Sequence, residues 1–234
     1  MLSIIIPTFN EEKYLPRLLH SIKSQDYKNY EIIISDANSE DNTKQVAKKN
    51  RCKFVSSKRR NPGHQRNNGA QKAKGDVLLF IDADAILPKN FLSTIMTEFT
   101  KKELDIAGFY FIFNSKKIIY KIYSFCFTVL CSFAQYVKPI SIGAGILVKK
   151  RYHDSVDGFD VTIIIGEDHE YSQRISKIGK FRMITSKKMY YSVRRFEQEG
   201  KFITLFKWVY CAFYYLLKGP IRKRIVDYKF GNFS

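Results

Sequence analysis

The first hundred residues alternate between short apolar runs and segments of helical periodicity, and this alternation limits the possible folds. The runs at 2–6, 31–35 and 77–81 have the length and composition of strands that are covered on both faces. Helical spacing between the first two runs is visible at Leu15, Leu18, Leu19 and Ile22. A strand, a helix and a second strand in this order predict parallel pairing. We therefore expect an α/β fold with a mainly parallel central sheet.

The rest of the chain continues this pattern. We expect a strand at 53–56, a basic polar loop at 60–63 and a short helix at 67–74. Later strands are expected at 105–113, 141–149, 181–185 and 189–194. Later helices are expected at 91–99 and 168–178, the second with Tyr171, Ile175 and Ile178 on one face and closed by Gly179.

Polar side chains follow several of the predicted strands. Thr8, Asp36, Asp82 and Asp84 all lie just past a strand's carboxyl end, where ligands bind in open α/β sheets. Asp82 and Asp84 are two residues apart, so an extended chain directs both to the same side. Their hard oxygen atoms suit Mg²⁺ or Mn²⁺. The alternative is structural, with Asp84 capping the helix after Pro88 and Asp82 solvated.

Two other acidic motifs also allow a structural and a functional interpretation. Asp36 opens the run DANSEDNT, which is typical of an Asx turn, although the same carboxylate would suit a nucleotide base. Glu167 and Asp168 precede a helical segment, where negative charge is favoured by the helix dipole. Either an N-terminal cap or a general base fits that position.

Basic residues outnumber acidic ones by 40 to 22, which gives a formal charge of +18. Such an excess predicts a polyanionic partner: nucleic acid, an anionic membrane surface or a phosphorylated small molecule. A basic RNA-binding protein is one alternative, but no RNP-like aromatic motif or KH-type glycine loop is found, so we expect no nucleic acid. A dinucleotide oxidoreductase is disfavoured, since no G-x-G-x-x-G follows the first strand.

The cysteines and the N-terminus bear on the compartment. Four scattered cysteines without a C-x-x-C pair indicate reduced thiols in a cytosolic protein, with no structural zinc. The apolar run at 2–6 is too short for a signal peptide. His64, His153 and His169 are interpreted as surface or cap residues, with His64 a distant candidate for a ligand-binding site.

In combination, the motifs resemble family 2 glycosyltransferases over roughly residues 1–180. The matching segments are IIIPTFNEE, YEIIISDANSEDNT, RNNGAQKAKGDVLLFIDAD, GFD and GEDHEYSQRISKIGK. The resemblance implies a GT-A fold, an αβα sandwich. It also implies a metal-dependent transfer of sugar, with inversion, from a UDP- or GDP-sugar donor.

The same resemblance implies roles for individual residues. The donor would be bound by Pro7, Thr8, Phe9, Glu11, Asp36, Arg66, Asp82, Ala83 and Asp84. Asp84 would anchor the metal ion, with Asp82 assisting. Asp168, in the pair with Glu167, matches the catalytic base. The segment SVRRFE resembles one of a small non-processive subgroup, in which Arg194 and Arg195 would close over the diphosphate; a basic strand end is the alternative.

The presence of a base bears on the acceptor. A sugar hydroxyl must lose a proton, whereas a lipid phosphate is already anionic. The Glu167–Asp168 pair therefore favours a hydroxyl of a lipid-linked or membrane-presented glycan. A polyprenyl- or dolichyl-phosphate acceptor, with Asp168 only orienting it, remains the alternative.

Two aromatic segments bear on location. A membrane span needs about 20 apolar residues, but 118–137 is interrupted by Lys121 and Gln135, and 202–217 contains Lys207. With the basic tail at 218–229, they suit helices in the interface of an anionic membrane at its cytoplasmic face. The alternative is packing on the domain or on a second subunit. We therefore expect a catalytic domain at 1–196, with an apolar insertion at 118–137, and an extension at 197–234.

Overall fold

A mainly parallel β-sheet forms the centre of the computed structural model, which describes residues 1–139, 141 and 145–227. Its strands in these residues are β1 (Leu2–Thr8), β2 (Tyr30–Asp36), β3 (Lys53–Ser56), β4 (Val77–Ile81), β5 (Ile106–Phe113), β6 (Gly145–Lys149) and β7 (Phe181–Tyr191). The strand order is β3-β2-β1-β4-β6-β5-β7. Only β6 runs against its neighbours among these strands.

Helices cover both faces of the sheet. They are α1 (Leu15–Lys23), α2 (Thr43–Lys49), α3 (Pro62–Gln71), α4 (Phe91–Lys101), α5 (Ile118–Val137), α6 (Lys150–Ser155), α7 (Glu167–Ser176), α8 (Arg194–Glu199) and α9 (Lys201–Lys218). Successive residues of β1 point to opposite faces. Ile4 and Ile6 join the core that includes α1 and α4, whereas Ile5 joins the core that includes α3 and α7. The predicted αβα sandwich is therefore confirmed.

The register of the sheet brings the polar strand ends together. Thr8 at the end of β1 is paired with Asp36 at the end of β2, and Ile5 of β1 is paired with Phe80 of β4. Asp82 and Asp84 therefore leave the sheet at the same edge as Thr8 and Asp36, as the sequence predicts.

Helix α3 begins earlier than expected. The structure starts it at Pro62, so the loop predicted at 60–63 is wrong beyond Asn61. Asn61 has an extended backbone, and its side chain accepts a hydrogen bond from the backbone N–H of His64. Proline at the first helical position needs no backbone donor. An asparagine cap followed by proline thus begins the helix five residues before the predicted position.

The two strands predicted at 181–185 and 189–194 form one element, β7. Between Phe109 and Phe111 of β5 the pairing jumps from Ile184 to Met189, so the register shifts inside β7. Glu98 binds the irregular part by accepting hydrogen bonds from the backbone N–H groups of Thr185 and Ser186. β7 ends at Tyr191, and Arg194, predicted as a strand end, is the first residue of α8.

Two smaller predictions also change. α7 ends at Ser176, so Ile178 lies beyond the helix and is 54% exposed instead of sharing the buried face of Tyr171 and Ile175. The strand predicted at 141–149 is present as β6 from Gly145, and residues 142–144 lie outside the described residues.

The two aromatic segments are helices, α5 and α9. Among the described residues, α5 alone is long and apolar enough to cross a membrane by length and composition. Trp208 of α9 stacks 6.4 Å from Phe113, and Phe196 of α8 packs edge-on against both. The expected domain boundary after residue 196 therefore falls within α8, beside an aromatic cluster shared with the sheet.

Candidate active site

The ends of β1 and β2 are joined by hydrogen bonds. The Thr8 hydroxyl donates to Asp36 Oδ1 over 2.7 Å, and Asp36 Oδ2 accepts from the backbone N–H of Ser39 over 2.8 Å. The Gln65 amide, from α3, donates to the carbonyls of both Thr8 and Ser35. Asp36 thus holds the following loop through Ser39, three residues on, one residue further than in the Asx turn considered above. Its contact with a nucleotide base stays a prediction.

An arginine lies over the ring of Phe9. The guanidinium carbon of Arg60 is 3.4 Å from the ring centroid of Phe9, which is close contact for a cation–π pair. Phe9 follows the end of β1, beside the half-buried Pro7. The predicted donor residues Pro7, Thr8 and Phe9 therefore lie at one end of the sheet, next to a cation that the sequence interpretation did not include.

Arg66 connects the Asp82 carboxylate to helix α7. Its guanidinium donates to Asp82 Oδ1 over 3.0 Å and to Glu167 Oε1 over 2.7 Å, and the residue is 2% exposed. Burial raises the pKa of Asp82, and burial together with the charge of Asp168 raises the pKa of Glu167. Although burial opposes it, the two carboxylates keep Arg66 charged by raising its pKa. Residues from α3, β4 and α7 therefore form one ionic network.

Arg194 forms a second network around Asp84. It donates to both oxygens of Glu11 over 2.8 Å, and its Nε lies 2.9 Å from Asp84 Oδ2. Burial raises the pKa of Asp84 to about 6, and Arg194 and Arg195 oppose this shift. Arg194 and Arg195 of the SVRRFE segment are thus both near Asp84. Arg194 pairs with the carboxylates of Glu11 and Asp84, whereas the sequence predicted that it would contact a diphosphate.

Asp168 lies in the first turn of α7. Its Oδ1 accepts a hydrogen bond from the backbone N–H of His169, and its backbone carbonyl accepts one from the Ser141 hydroxyl. Its neighbour Glu167 accepts a hydrogen bond from Arg66, which also donates to Asp82. The predicted base and the predicted metal-binding carboxylates therefore share one site.

The histidine predictions are partly corrected. His153, expected at the surface or in a cap, is 5% exposed and its Nδ1 lies 2.8 Å from the Tyr171 hydroxyl, next to Phe80 and Phe159. The reason is that α6 packs on the same face of the sheet as α7. His64 Nδ1 is 2.9 Å from the Ser57 hydroxyl.

The residues at Asp84 fit a substrate-bound divalent ion. Among residues 1–139, 141 and 145–227, no group of three or more His, Cys, Asp or Glu side chains could hold a metal. Mg²⁺ is commonly bound by only one or two carboxylates, with substrate phosphates completing its coordination. Asp84 Oδ1 is buried and has no hydrogen-bond partner among the described residues. A buried carboxylate oxygen without a donor suits an incoming cation.

Three contacting residues were missed by the sequence analysis: Arg60, Gln65 and Tyr191. The Tyr191 hydroxyl donates to Asp82 Oδ2 over 3.3 Å from the end of β7. No local pattern pairs a late strand with a carboxylate 109 residues earlier. Arg60 had a usable signal, since it lies in the basic stretch KRR directly after β3, at the same sheet edge.

The sheet, its carboxylate-bearing edge and the adjoining acidic helix define a protein of the GT-A class. The fold is similar to that of poly(ribitol-phosphate) β-N-acetylglucosaminyltransferase TarS of Staphylococcus aureus in complex with UDP, with a TM-score of 0.68 and 21% identity, over 82% of this chain and 60% of that one. A mannosyltransferase of Pyrobaculum calidifontis, solved with GDP-Man and Mn²⁺, has a TM-score of 0.66 and 19% identity, over 89% of this chain and 64% of that one.

The model of glycosyl transferase family 2 matches residues 3–156, and the chain belongs to this family. A GalNAc(5)-diNAcBac-PP-undecaprenol β-1,3-glucosyltransferase of Campylobacter jejuni is 39% identical over 46% of this chain and 37% of its own length. A Methanococcus voltae dolichyl N-acetyl-α-D-glucosaminyl phosphate 3-β-D-2,3-diacetamido-2,3-dideoxy-β-D-glucuronosyltransferase is 32% identical over 79% of this chain and 64% of its own length. The chain thus spans less than two thirds of either relative.

Proposed function

We propose that this chain transfers a sugar, with inversion, from a nucleoside diphosphate donor to a hydroxyl group of a lipid-linked glycan. The observation that carries the proposal is the bridge made by Arg66 between Asp82 and Glu167. It holds the sheet edge, where a donor diphosphate would bind, against the helix that presents Asp168. A site with both parts can activate a donor and an acceptor together.

In the proposed reaction, Asp168 accepts the proton of the acceptor hydroxyl. At the same time the oxygen of that hydroxyl forms a bond to the anomeric carbon of the donor sugar. The bond from that carbon to the diphosphate breaks, and its electron pair stays on the diphosphate oxygen. We assign the base to Asp168, the position that the family resemblance gives it, and to Glu167 the role of holding Arg66. A hydroxyl nucleophile needs such a base because its own pKa is far above neutral.

Asp84, with Asp82 assisting, would hold Mg²⁺ or Mn²⁺. A bound divalent ion would supply Lewis-acid stabilisation of the charge on the departing diphosphate. The chain's own contribution is to keep both carboxylates at fixed strand ends, with Arg66 and Tyr191 orienting Asp82. Little reorganisation is then needed as charge develops.

The names of the two relatives support the choice of acceptor. Both describe the addition of a sugar to a saccharide carried on a polyprenyl or dolichyl lipid. In such a substrate the new bond is made to a sugar oxygen. This favours a hydroxyl over a lipid phosphate for the present chain, and it agrees with the presence of Asp168.

Donor binding tests the proposal directly. With Mn²⁺ present, a UDP- or GDP-sugar should raise the melting temperature, because a ligand that binds only the folded state stabilises it. Asp84→Asn should abolish the metal-dependent part of this shift. The matched control, Asp76→Asn, changes a carboxylate whose side chain is 91% exposed and should behave like wild type. An unchanged shift in Asp84→Asn would remove Asp84 from the site.

The base is tested by turnover. Asp168→Asn should retain the donor-induced melting shift but lose transfer to a hydroxyl acceptor by about 10²-fold or more. Turnover of this variant on a polyprenyl phosphate would instead support the alternative phosphate acceptor. The absence of a melting shift with every nucleotide sugar would contradict the proposed function.

A further inference from the structure

Helices α5 and α9 present their large apolar side chains to solvent. On α5 the exposed apolar residues include Ile118, Ile122, Phe125, Val129, Phe133 and Tyr136. On α9 they include Phe202, Phe206, Val209, Phe213, Leu216 and Leu217. These positions recur every three or four residues, so each set forms one stripe along its helix. A helix of a soluble domain normally turns such a stripe toward the core.

The inward faces of the same helices pack on the domain through Tyr120 of α5 and Trp208 and Tyr215 of α9, together with smaller side chains. Ser124 and Cys131 of α5 and Thr204 and Cys211 of α9 are buried. The Ser124 hydroxyl donates to the backbone carbonyl of Tyr120. Both helices therefore have an inward face that packs on the domain and, in addition, an outward apolar stripe that packing among the described residues does not explain.

Two lysine–aromatic contacts connect these helices. Near their first turns, Lys201 Nζ of α9 is 5.9 Å from the ring centroid of Tyr120 of α5. Near their last turns, Lys138 Nζ, just after α5, is 5.2 Å from the ring centroid of Tyr215 of α9. The helices are thus connected near both ends, and we call their two outward apolar stripes together the α5–α9 surface.

Basic residues outnumber acidic ones around this surface, although Glu199 pairs with Lys207, Asp160 with Arg222 and Asp227 with Arg224. The stretches 106–153 and 200–226, which contain both helices, have no aspartate or glutamate. Exposed cations flank the stripes at Lys116, Lys117, Lys121, Lys138, Lys218, Arg222, Lys223 and Arg224. An apolar, aromatic face rimmed by cations complements an anionic lipid headgroup region above acyl chains.

The α5–α9 surface is connected to the candidate base. The ring of Tyr215 in α9 is 5.9 Å from the ring of His169, the neighbour of Asp168. Just after α9, the Ile221 carbonyl accepts a hydrogen bond from the Ile164 N–H, three residues before Glu167. A bilayer touching this surface would therefore lie beside the part of the site that receives the acceptor.

We infer that the α5–α9 surface binds the interface of an anionic lipid bilayer and so holds the site next to its lipid-linked acceptor. The second clause rests on the proposed function; the first does not. Binding in the interface leaves the inward side of α5 on the sheet, whereas a spanning α5 would have to separate Tyr120 and Cys131 from the core. A second copy of the chain is disfavoured, because it would bring two cationic rims together.

Vesicle co-sedimentation of the full chain tests the inference. At low salt the protein should sediment with phosphatidylcholine vesicles that contain about 30% phosphatidylglycerol, and less with pure phosphatidylcholine. Raising the salt concentration to about 0.5 M should weaken the binding to anionic vesicles. Changing Phe125, Phe133, Phe206 and Phe213 together to serine should lower the partition coefficient by about tenfold or more, because each loses apolar area that enters the interface.

A matched pair of single changes provides the control. Phe133→Ser removes an apolar side chain that is 73% exposed on the surface, and Ile178→Ser removes one that is 54% exposed elsewhere. The first should weaken binding and the second should not. Donor-induced melting shifts of the fourfold variant should match wild type, which separates this test from that of the proposed function.

Three results would overturn the inference. They are no sedimentation of wild type with anionic vesicles at low salt, equal binding by the fourfold variant, and equal effects of Phe133→Ser and Ile178→Ser. If light scattering finds that the fourfold variant turns a dimer into a monomer while vesicle binding is unchanged, the surface is an interface between copies. A missing donor shift would affect only the proposed function.

Discussion

Two arginines organise the carboxylates of the candidate site. Arg66 contacts Asp82, 16 positions away in the sequence, and Glu167, 101 positions away. Arg194 contacts Glu11, 183 positions away. The sequence predicted the acidic members of these networks that follow strands, because an acidic residue just after a buried apolar run indicates a ligand site at the sheet edge. The pairing itself could not be predicted, since it depends on how α3 and α8 pack against the sheet. Burying one charged group without its partner is costly, so these ion pairs strongly constrain the positions of the side chains in the site.

His153 provides a test at the same scale. Burial lowers its pKa from 6.5 to about 4, because the charged imidazolium is poorly solvated beside Phe80 and Tyr171. Below pH 6.5 the unfolded chain therefore binds a proton that the folded chain does not. Its contribution to stability is complete above pH 6.5 and is lost as the pH falls toward 4.

We expect the free energy of unfolding to fall by about 2 kcal/mol more in wild type than in His153→Gln when the pH is lowered from 8 to 5. Urea unfolding of both proteins at the two pH values measures this difference. Equal losses in the two proteins would mean that His153 is protonated in the folded state.

At the scale of elements, strands were predicted more accurately than helix ends. The apolar runs of β1, β2 and β4 are continuous, and burial on both faces leaves little freedom in their limits. Helix α3 has almost no apolar periodicity, since its sequence PGHQRNNGAQ is polar throughout. It is positioned by tertiary contacts, including Gln65 on two strand ends and Arg66 on two carboxylates. Periodicity alone could not reveal its start.

The cap of α3 leads to a prediction for that element. Asn61→Ala should destabilise the protein by about 1 kcal/mol, because the His64 N–H loses its acceptor. Asn61→Asp keeps an acceptor at the same position and should retain most of the stability. Urea unfolding of the two variants beside wild type decides the matter; equal stability of all three proteins would show that this hydrogen bond contributes nothing.

At the scale of the whole molecule, the chain contains a family core with two helices added at its side. Residues 3–156 carry the family match, yet β7 and α7, which complete the sheet edge and the site, lie beyond that range. The resemblance of the motifs was enough to predict the class of fold. The lateral position of α5 and α9, and the exposure of their apolar stripes, required the structure, because composition does not tell which side of an aromatic helix faces the sheet.

The aromatic cluster of Phe113, Phe196 and Trp208 predicts that the extension at 197–234 stabilises the rest of the chain. A chain ending at residue 196 should be less stable than the full chain by at least about 3 kcal/mol, because Trp208 no longer covers Phe113 and Phe196. Trp208→Ala in the full chain should reproduce much of this loss. Thermal and urea unfolding measure both. A truncated chain as stable as wild type would instead show that residues 197–234 contribute nothing to the stability of the predicted domain at 1–196.

The register shift in β7 determines which side chain reaches Asp82. Between the pairs Phe109–Ile184 and Phe111–Met189, β5 advances by two residues and β7 by five, so β7 contains three additional residues. With continuous pairing, Lys188 would lie opposite Phe113; with the insertion, Tyr191 takes that place. The irregular segment held by Glu98 thus sets a phenol, and not an ammonium group, beside Asp82, the carboxylate that we propose assists Asp84 in holding the metal ion.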